Sequence, residues 1–240
     1  PPRADDDQVH GPRHGPGEGV GGLAVPESQF AREGRVGVLG SAFNPPHLGH
    51  LVLAQEAHSR LGLSEVVLVP TGRAPHKEIE DDPGGEARME MARLAAGEDE
   101  RLVVSGLETG REEPSFTYRT LELLGEERPG EELVLVMGAD AAAGLEGWRE
   151  PQRILELARV AVAERRGVER AAVESVLEGL GGAGRSEFLE MPEIEVSSSM
   201  VRGRVAAGRP IRYLVPDGVA DLIAERGLYA GSGARRLQQA

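Results

Sequence analysis

Two histidines, His47 and His50, are the residues of this 240-residue chain best placed by type and spacing to do chemistry. They lie in GSAFNPPHLGH, residues 40–50, between the aliphatic run RVGVL and the amphipathic run LVLAQEAHSRLGL. That context predicts a strand handing over to a helix. Gly40, Pro45 and Pro46 supply the turn, and Gly49 lets backbone or ligand come close. An i, i+3 spacing puts both imidazoles on one face of the first helical turn. A helix N-terminus presents unpaired N–H groups and the positive end of the dipole, so imidazoles beside it suit a polyphosphate. A lone histidine reads as a surface or core residue with a satisfied hydrogen bond, a reading the pair fits poorly. Zinc is a competing reading. It lacks a third ligand, because the chain has no H-E-x-x-H and no cysteine. Neither a P-loop nor a G-x-G-x-x-G fingerprint is present.

A second candidate lies far downstream in EVSSSMVRGR, residues 195–204. Ser197 and Ser198 sit where a helix N-cap belongs, which on its own predicts only a cap. Arg202, one turn further on, can aim its guanidinium fork at a phosphate. A second helix start brought next to the first would grip one polyphosphate from two sides.

The elements that must position these residues alternate. Aliphatic runs predict strands at 35–40, 65–70, 101–106, 132–138, 160–166 and 187–191. Periodic runs predict helices at 47–63, 85–97, 117–127, 151–159, 169–182, 198–208 and 216–228. Such alternation implies an α/β fold: a Rossmann-like doubly wound parallel sheet with helices on both faces, in a single domain over residues 35–230. In such sheets ligands bind at the C-terminal ends of strands. Aromatics make up 3% of the chain, so Leu, Val, Ala and Ile must fill the core. Residues 1–34, rich in Gly, Pro and charge, read as a disordered N-terminal extension, and 231–240 as a flexible tail.

A formal net charge of −13 argues against a general nucleic-acid binder. No apolar run is long enough to span a membrane, and the N-terminus has no signal-peptide core. A cytoplasmic protein is the expectation, with a homo-oligomer left open.

GSAFNPPHLGH together with VSSSMVR resembles the nucleotidylyltransferase superfamily, with its G-x-F-x-P-x-H-x-G-H and I-S-S-T-x-x-R motifs. VPTGRAPHK (69–77), PSFTYRTL (114–121), VLVMGADAAAGLEGW (134–148) and YLVPDGVADLIAERGLY (213–229) are similar, in order and spacing, to bacterial nicotinate-mononucleotide adenylyltransferases. The resemblance spans about residues 35–230. It implies transfer of AMP from ATP to nicotinate mononucleotide, giving deamido-NAD and pyrophosphate, by direct attack with no protein nucleophile. Catalysis is then positioning plus charge stabilisation. The resemblance casts His47 and His50 as ligands of the ATP phosphates, with Lys77 and Arg202 adding fixed positive charge. It implies Mg²⁺ carried largely by ATP oxygens and water. It places Gly40, Ser41, Ala42, Phe43, Gly49, Gly138, Asp140, Ser198 and Ser199 at ATP. It places Thr117 and Trp148 at the nicotinate end, where Trp148 otherwise reads as a core anchor. Arg149, next to the ring, would favour a carboxylate over a neutral amide; this last reading comes from the residue, not the family.

The chain also departs from the family pattern. Ser41 and Ala42 stand for Gly-Thr, Asn44 for Asp, Ser199 for Thr, and Arg119 for an acidic residue. GRAPHK lacks the asparagine often found before the lysine. A phosphopantetheine or cytidylyl transferase, and a nucleotide-binding regulator without turnover, are the competing readings. The acidic run EIEDDPGGE, residues 78–86, reads as a solvated loop able to act as a lid.

Overall fold

The strands carry aliphatic side chains on both faces, as a sheet covered by helices requires. The computed structural model describes residues 34–75 and 78–231. The expected extension, the expected tail apart from Gly231, and Lys77 therefore lie outside the described residues. Six strands form one parallel sheet: β1 (Arg35–Ser41), β2 (Glu65–Pro70), β3 (Leu102–Val104), β4 (Glu132–Gly138), β5 (Ala158–Ala163) and β6 (Ser186–Leu189). Their spatial order is β3-β2-β1-β4-β5-β6.

Alternate side chains of each strand enter opposite cores. Val36, Val38, Val67, Val69, Leu133 and Leu135 pack on one face with Leu121 and Leu124 of α3 (Thr117–Glu127) and Ile154 of α5 (Pro151–Leu157). Val66, Leu68, Val134 and Val136 pack on the other with Ala54 and Ala57 of α1 (Leu48–Leu61). A third cluster joins α2 (Gly85–Ala96), α7 (Ser198–Ala206) and α8 (Asp217–Glu225) through Met91, Val201, Val219 and Leu222. That cluster anchors the chain's last helices beside the first ones. Among the described residues, no helix is long and apolar enough to cross a membrane.

Several boundaries differ from the sequence reading. The strand expected at 160–166 begins at Ala158, directly after α5, because Ala158 pairs with Leu133 and the ladder runs to Ala163 opposite Gly138. The stretch after β4 was expected to carry a motif but no helix. It forms α4 (Ala139–Ala143) and a 3₁₀ turn (Leu145–Gly147) that buries Leu145 completely. The remaining α6 (Arg170–Gly179) stops three residues short of the expected 182, and Gly181 takes a positive φ of 87°.

Leu124 is 1% exposed and sits in the core behind α3. Leu124→Ala is expected to lower unfolding free energy by about 2–5 kcal/mol through lost burial and a residual cavity. Denaturant unfolding checks this, and turnover by the folded fraction should be unchanged.

Candidate active site

β1 lies between β2 and β4, so successive connections leave it toward opposite sides of the sheet. Ligands bind at such a switch point. A cavity of about 320 Å³ opens there, at the C-terminal ends of β1 and β4. Gly40, Ser41, His50, Gly138, Thr117 and Trp148, all expected at the site, line it together.

His47 is the N-cap of α1 and His50 lies in its first turn. Their rings lie 3.9 Å apart between centroids, tilted by 39°. The His47 N–H donates to His50 Nδ1 at 3.2 Å. An imidazole nitrogen that accepts carries no proton, so in the neutral ring the proton sits on Nε2, an assignment made from the network. Nε2 faces Ser41 Oγ at 3.0 Å, on the cavity wall. His47 is buried, and its Nδ1 finds no hydrogen-bond partner among the described residues. Gly49 seats that ring: a Cβ there would lie 3.1 Å from His47 Nδ1 and 3.5 Å from the Val196 carbonyl. Phe43, fully buried at a φ of 47°, closes the other side with its ring 4.9 Å from His50.

Burial lowers the His47 pKa to about 4. Burial, then the charge of His47, holds His50 well below the usual 6.5. Burial thus favours the neutral form of both rings at pH 7, with His50 Nε2 directed at the wall hydroxyl of Ser41.

The two helix starts do meet. Ser197 caps α7 by accepting from the Met200 N–H at 3.2 Å. Ser198 Oγ donates to the Pro45 carbonyl at 2.8 Å, tying α7 to the turn that precedes His47. Ser199 stays exposed beside Ser197 Oγ at 3.1 Å. Arg202 is buried next to the same turn and donates to the Asn44 carbonyl at 3.0 Å. Its guanidinium does not line the cavity holding His50. It borders a neighbouring cleft of about 700 Å³ with Tyr229, whose hydroxyl donates to Asn44 Oδ1 at 2.7 Å.

The acidic run expected as a free solvated loop is docked. Glu80 and Asp81 pair with Arg202 at 2.9 and 3.3 Å, Asp82 pairs with Arg88 at 2.8 Å, and Asn44 Nδ2 donates to the Glu80 carbonyl at 2.6 Å.

Other expected residues fall away from the cavity. Asp140 is exposed and accepts from Arg165 at 3.1 Å, because the short α4 turns it outward. Arg149 faces solvent, 3.9 Å from Glu150. Ala42 contributes its carbonyl to Arg88 at 3.1 Å.

Sequence reasoning missed Glu108, Ser115 and Arg88. Glu108 lines the cavity and accepts from Thr120 Oγ1 at 2.6 Å. Ser115 Oγ, also on the wall, accepts from the Gly72 N–H at 3.0 Å. A Cβ at Gly72 would stand 2.1 Å from the Glu108 carbonyl oxygen, so only glycine lets these loops touch. Arg88 had one visible signal: it shares a helical face with Met91, Ala92 and Ala95, where a charge is out of place. No group of three or more His, Cys, Asp or Glu able to hold a metal occurs among the described residues.

A parallel sheet with paired imidazoles on a helix start at its switch point defines a nucleotide-handling α/β protein. Residues 38–204 match the model of the cytidylyltransferase-like family. The chain belongs to that family and, within it, to the nicotinate-nucleotide adenylyltransferases. It is 41% identical over 196 residues to a protein of Roseiflexus sp. (strain RS-1) named "Probable nicotinate-nucleotide adenylyltransferase", covering 81% of this chain and 97% of that one. A protein of the same name from Tropheryma whipplei (strain Twist) is 40% identical over 191 residues, covering 80% and 97%. The fold is also that of the Plasmodium falciparum nicotinic acid mononucleotide adenylyltransferase complexed with NaAD. That match has a TM-score of 0.67 at 17% identity and covers 81% and 97% of the two chains.

Because folding suppresses imidazole protonation, the unfolded chain takes up protons first on acidification. The stability gained by keeping His47 neutral is complete above pH 6.5 and is lost as the pH falls toward about 4. Urea unfolding across that window should show a steady decline, and His47→Asn should make it shallower, with His50 accounting for part of the remainder. An equally steep decline in the variant would remove His47 from the acid limb.

Proposed function

We propose that this chain transfers the adenylyl group of ATP to nicotinate mononucleotide, forming deamido-NAD and pyrophosphate, at the cavity between β1 and β4. One observation carries the reading: His50, Thr117 and Trp148 line the same cavity. A phosphate-facing imidazole and a flat aromatic face are thus within reach of one extended dinucleotide.

The adenosine triphosphate lies over the start of α1, with the α7 start adjoining. The mononucleotide phosphate oxygen attacks the α-phosphorus, a new P–O bond forms, the bond to the bridging oxygen breaks, and pyrophosphate leaves with its electron pair. Atoms balance without a covalent enzyme intermediate. His50 Nε2–H, released from Ser41, donates to a phosphate oxygen as charge develops. The exchange of Ser41 for phosphate happens when ATP binds, so the donor is already in place when charge develops. Trp148 supplies a stacking face for the pyridine ring, and the start of α3 at Thr117 supplies donors. Mg²⁺ enters with ATP as part of the substrate, held largely by ATP oxygens and water. This chemistry draws on ATP, in keeping with a cytoplasmic protein.

Arg202 reaches the terminal phosphates by exchanging partners. The Glu80 and Asp81 side chains are 82% and 70% exposed, and ion pairs that open to water contribute little. A triphosphate brings more charge to the same guanidinium and displaces them.

Pyrophosphate release with MgATP and nicotinate mononucleotide tests the reading. Release is expected with this acceptor and not with phosphopantetheine; ATP binding without release would indicate a regulator. His50→Asn should lower kcat about 10²–10³-fold, the usual effect of removing one preorganised donor. A second series addresses Arg202. Glu80→Gln combined with Asp81→Asn should lower the KM for ATP several-fold, and a raised KM would contradict the exchange.

A further inference from the structure

We propose that Arg88, which does not itself line the cavity, is a positioning residue that turns the backbone of two loops so that their N–H groups face phosphate. The proposal rests on the adenylyl-transfer reading above.

Arg88 lies in the first turn of α2 and is 1% exposed. Its Nη1 donates to the Ala42 carbonyl at 3.1 Å and to the Thr71 carbonyl, and its Nη2 to the Gly72 carbonyl at 3.1 Å. Its Nε donates to Asp82 at 2.8 Å. Ala42 follows β1, while Thr71 and Gly72 follow β2. One guanidinium thus collects three carbonyls from the two loops that leave neighbouring strands beside the cavity.

The consequence follows from peptide geometry. In a trans peptide the C=O and the following N–H point in opposite directions. Drawing the Ala42 carbonyl inward turns the Phe43 N–H outward, where it meets Ser41 Oγ at 3.4 Å. Drawing the Thr71 carbonyl inward turns the Gly72 N–H outward to Ser115 Oγ at 3.0 Å. Ser41 and Ser115 both line the cavity. Carbonyl oxygens, which repel an anion, are held by Arg88, and the following N–H groups point instead at wall hydroxyls whose place a phosphate oxygen would take. The buried charge also adds a fixed positive potential behind the cavity floor.

A plain packing role explains the position poorly. Arg88 lies on the apolar face of α2 beside Met91 and Ala92, and a methionine would fill that space without desolvating a charge. A guanidinium there is retained with its hydrogen bonds satisfied by backbone of the two loops, not by core neighbours.

The test compares Arg88→Met and Arg88→Lys with the wild type. Binding of a non-hydrolysable ATP analogue and of adenosine is measured by titration, alongside pyrophosphate release and thermal unfolding. Arg88→Met should weaken the ATP analogue by about tenfold or more, equivalent to about 1.4 kcal/mol, and leave adenosine within about twofold. Arg88→Lys should recover part of the loss, since an ammonium keeps the charge but loses the planar fork. Equal weakening of both ligands, or none, overturns the proposal, because a structural defect would not single out phosphate. If neither variant folds, amide exchange in the wild type decides. The ATP analogue should slow exchange at Phe43 and Gly72, and unchanged rates there overturn the proposal. Failure of the wild type to release pyrophosphate would instead sink the assigned reaction, so the two failures are distinguishable.

Discussion

The pairing of β1 with β2 on one side and β4 on the other is the constraint on which the site depends. Val38 sits opposite Val67 and also opposite Leu135, so β1 is fixed on both edges. The chain leaving β1 turns toward one face and the chain leaving β4 toward the other, and a crevice is left between them. The cavity-lining groups collect at that crevice. α1 begins there with His47, α4 begins there with Gly138 exposed to the cavity, and α3 delivers Thr117 from across the sheet. With β1 paired along both edges and covered on both faces, its end is held in place by two ladders and two cores.

On that frame the histidines gain their character from burial. Stacked rings, Phe43 on one side and Gly49 beneath, strip water from both imidazoles and keep them neutral. A neutral ring with its Nε2 proton directed at the cavity is a donor that stays in place when charge develops. The positive charge of the region comes instead from Arg202 and Arg88, buried behind the loops and neutralised in part by the acidic turn at 80–82. Separating donors from cations lets the cavity accept an anion without repelling its own wall.

How much of this was legible in the sequence follows from the range of each interaction. Strand positions and the paired histidines were readable because aliphatic runs and an i, i+3 spacing are local. The family motifs led to Gly40, Ser41, Gly138, Thr117 and Trp148, which the structure gathers on one wall. Arg88 was hidden because its carbonyl partners lie up to 46 residues away. Glu108 was hidden because a loop carboxylate looks like any other surface charge until Thr120 is seen to hold it. The acidic run is solvated as expected, but its pairing with Arg202 was hidden because that partner is more than 120 residues distant. Asp140 was placed by motif position and Arg149 by its place next to Trp148, but α4 and the turn after it, unseen in the pattern, direct both outward.

The most direct measurement is a crystal structure of this chain with deamido-NAD bound. The account predicts the bridging phosphates within hydrogen-bonding distance of His50 Nε2, the pyridine ring against Trp148 and the Phe43 and Gly72 N–H groups turned toward the phosphates. A dinucleotide lying elsewhere, or phosphates facing the Ala42 and Thr71 carbonyls, would contradict it.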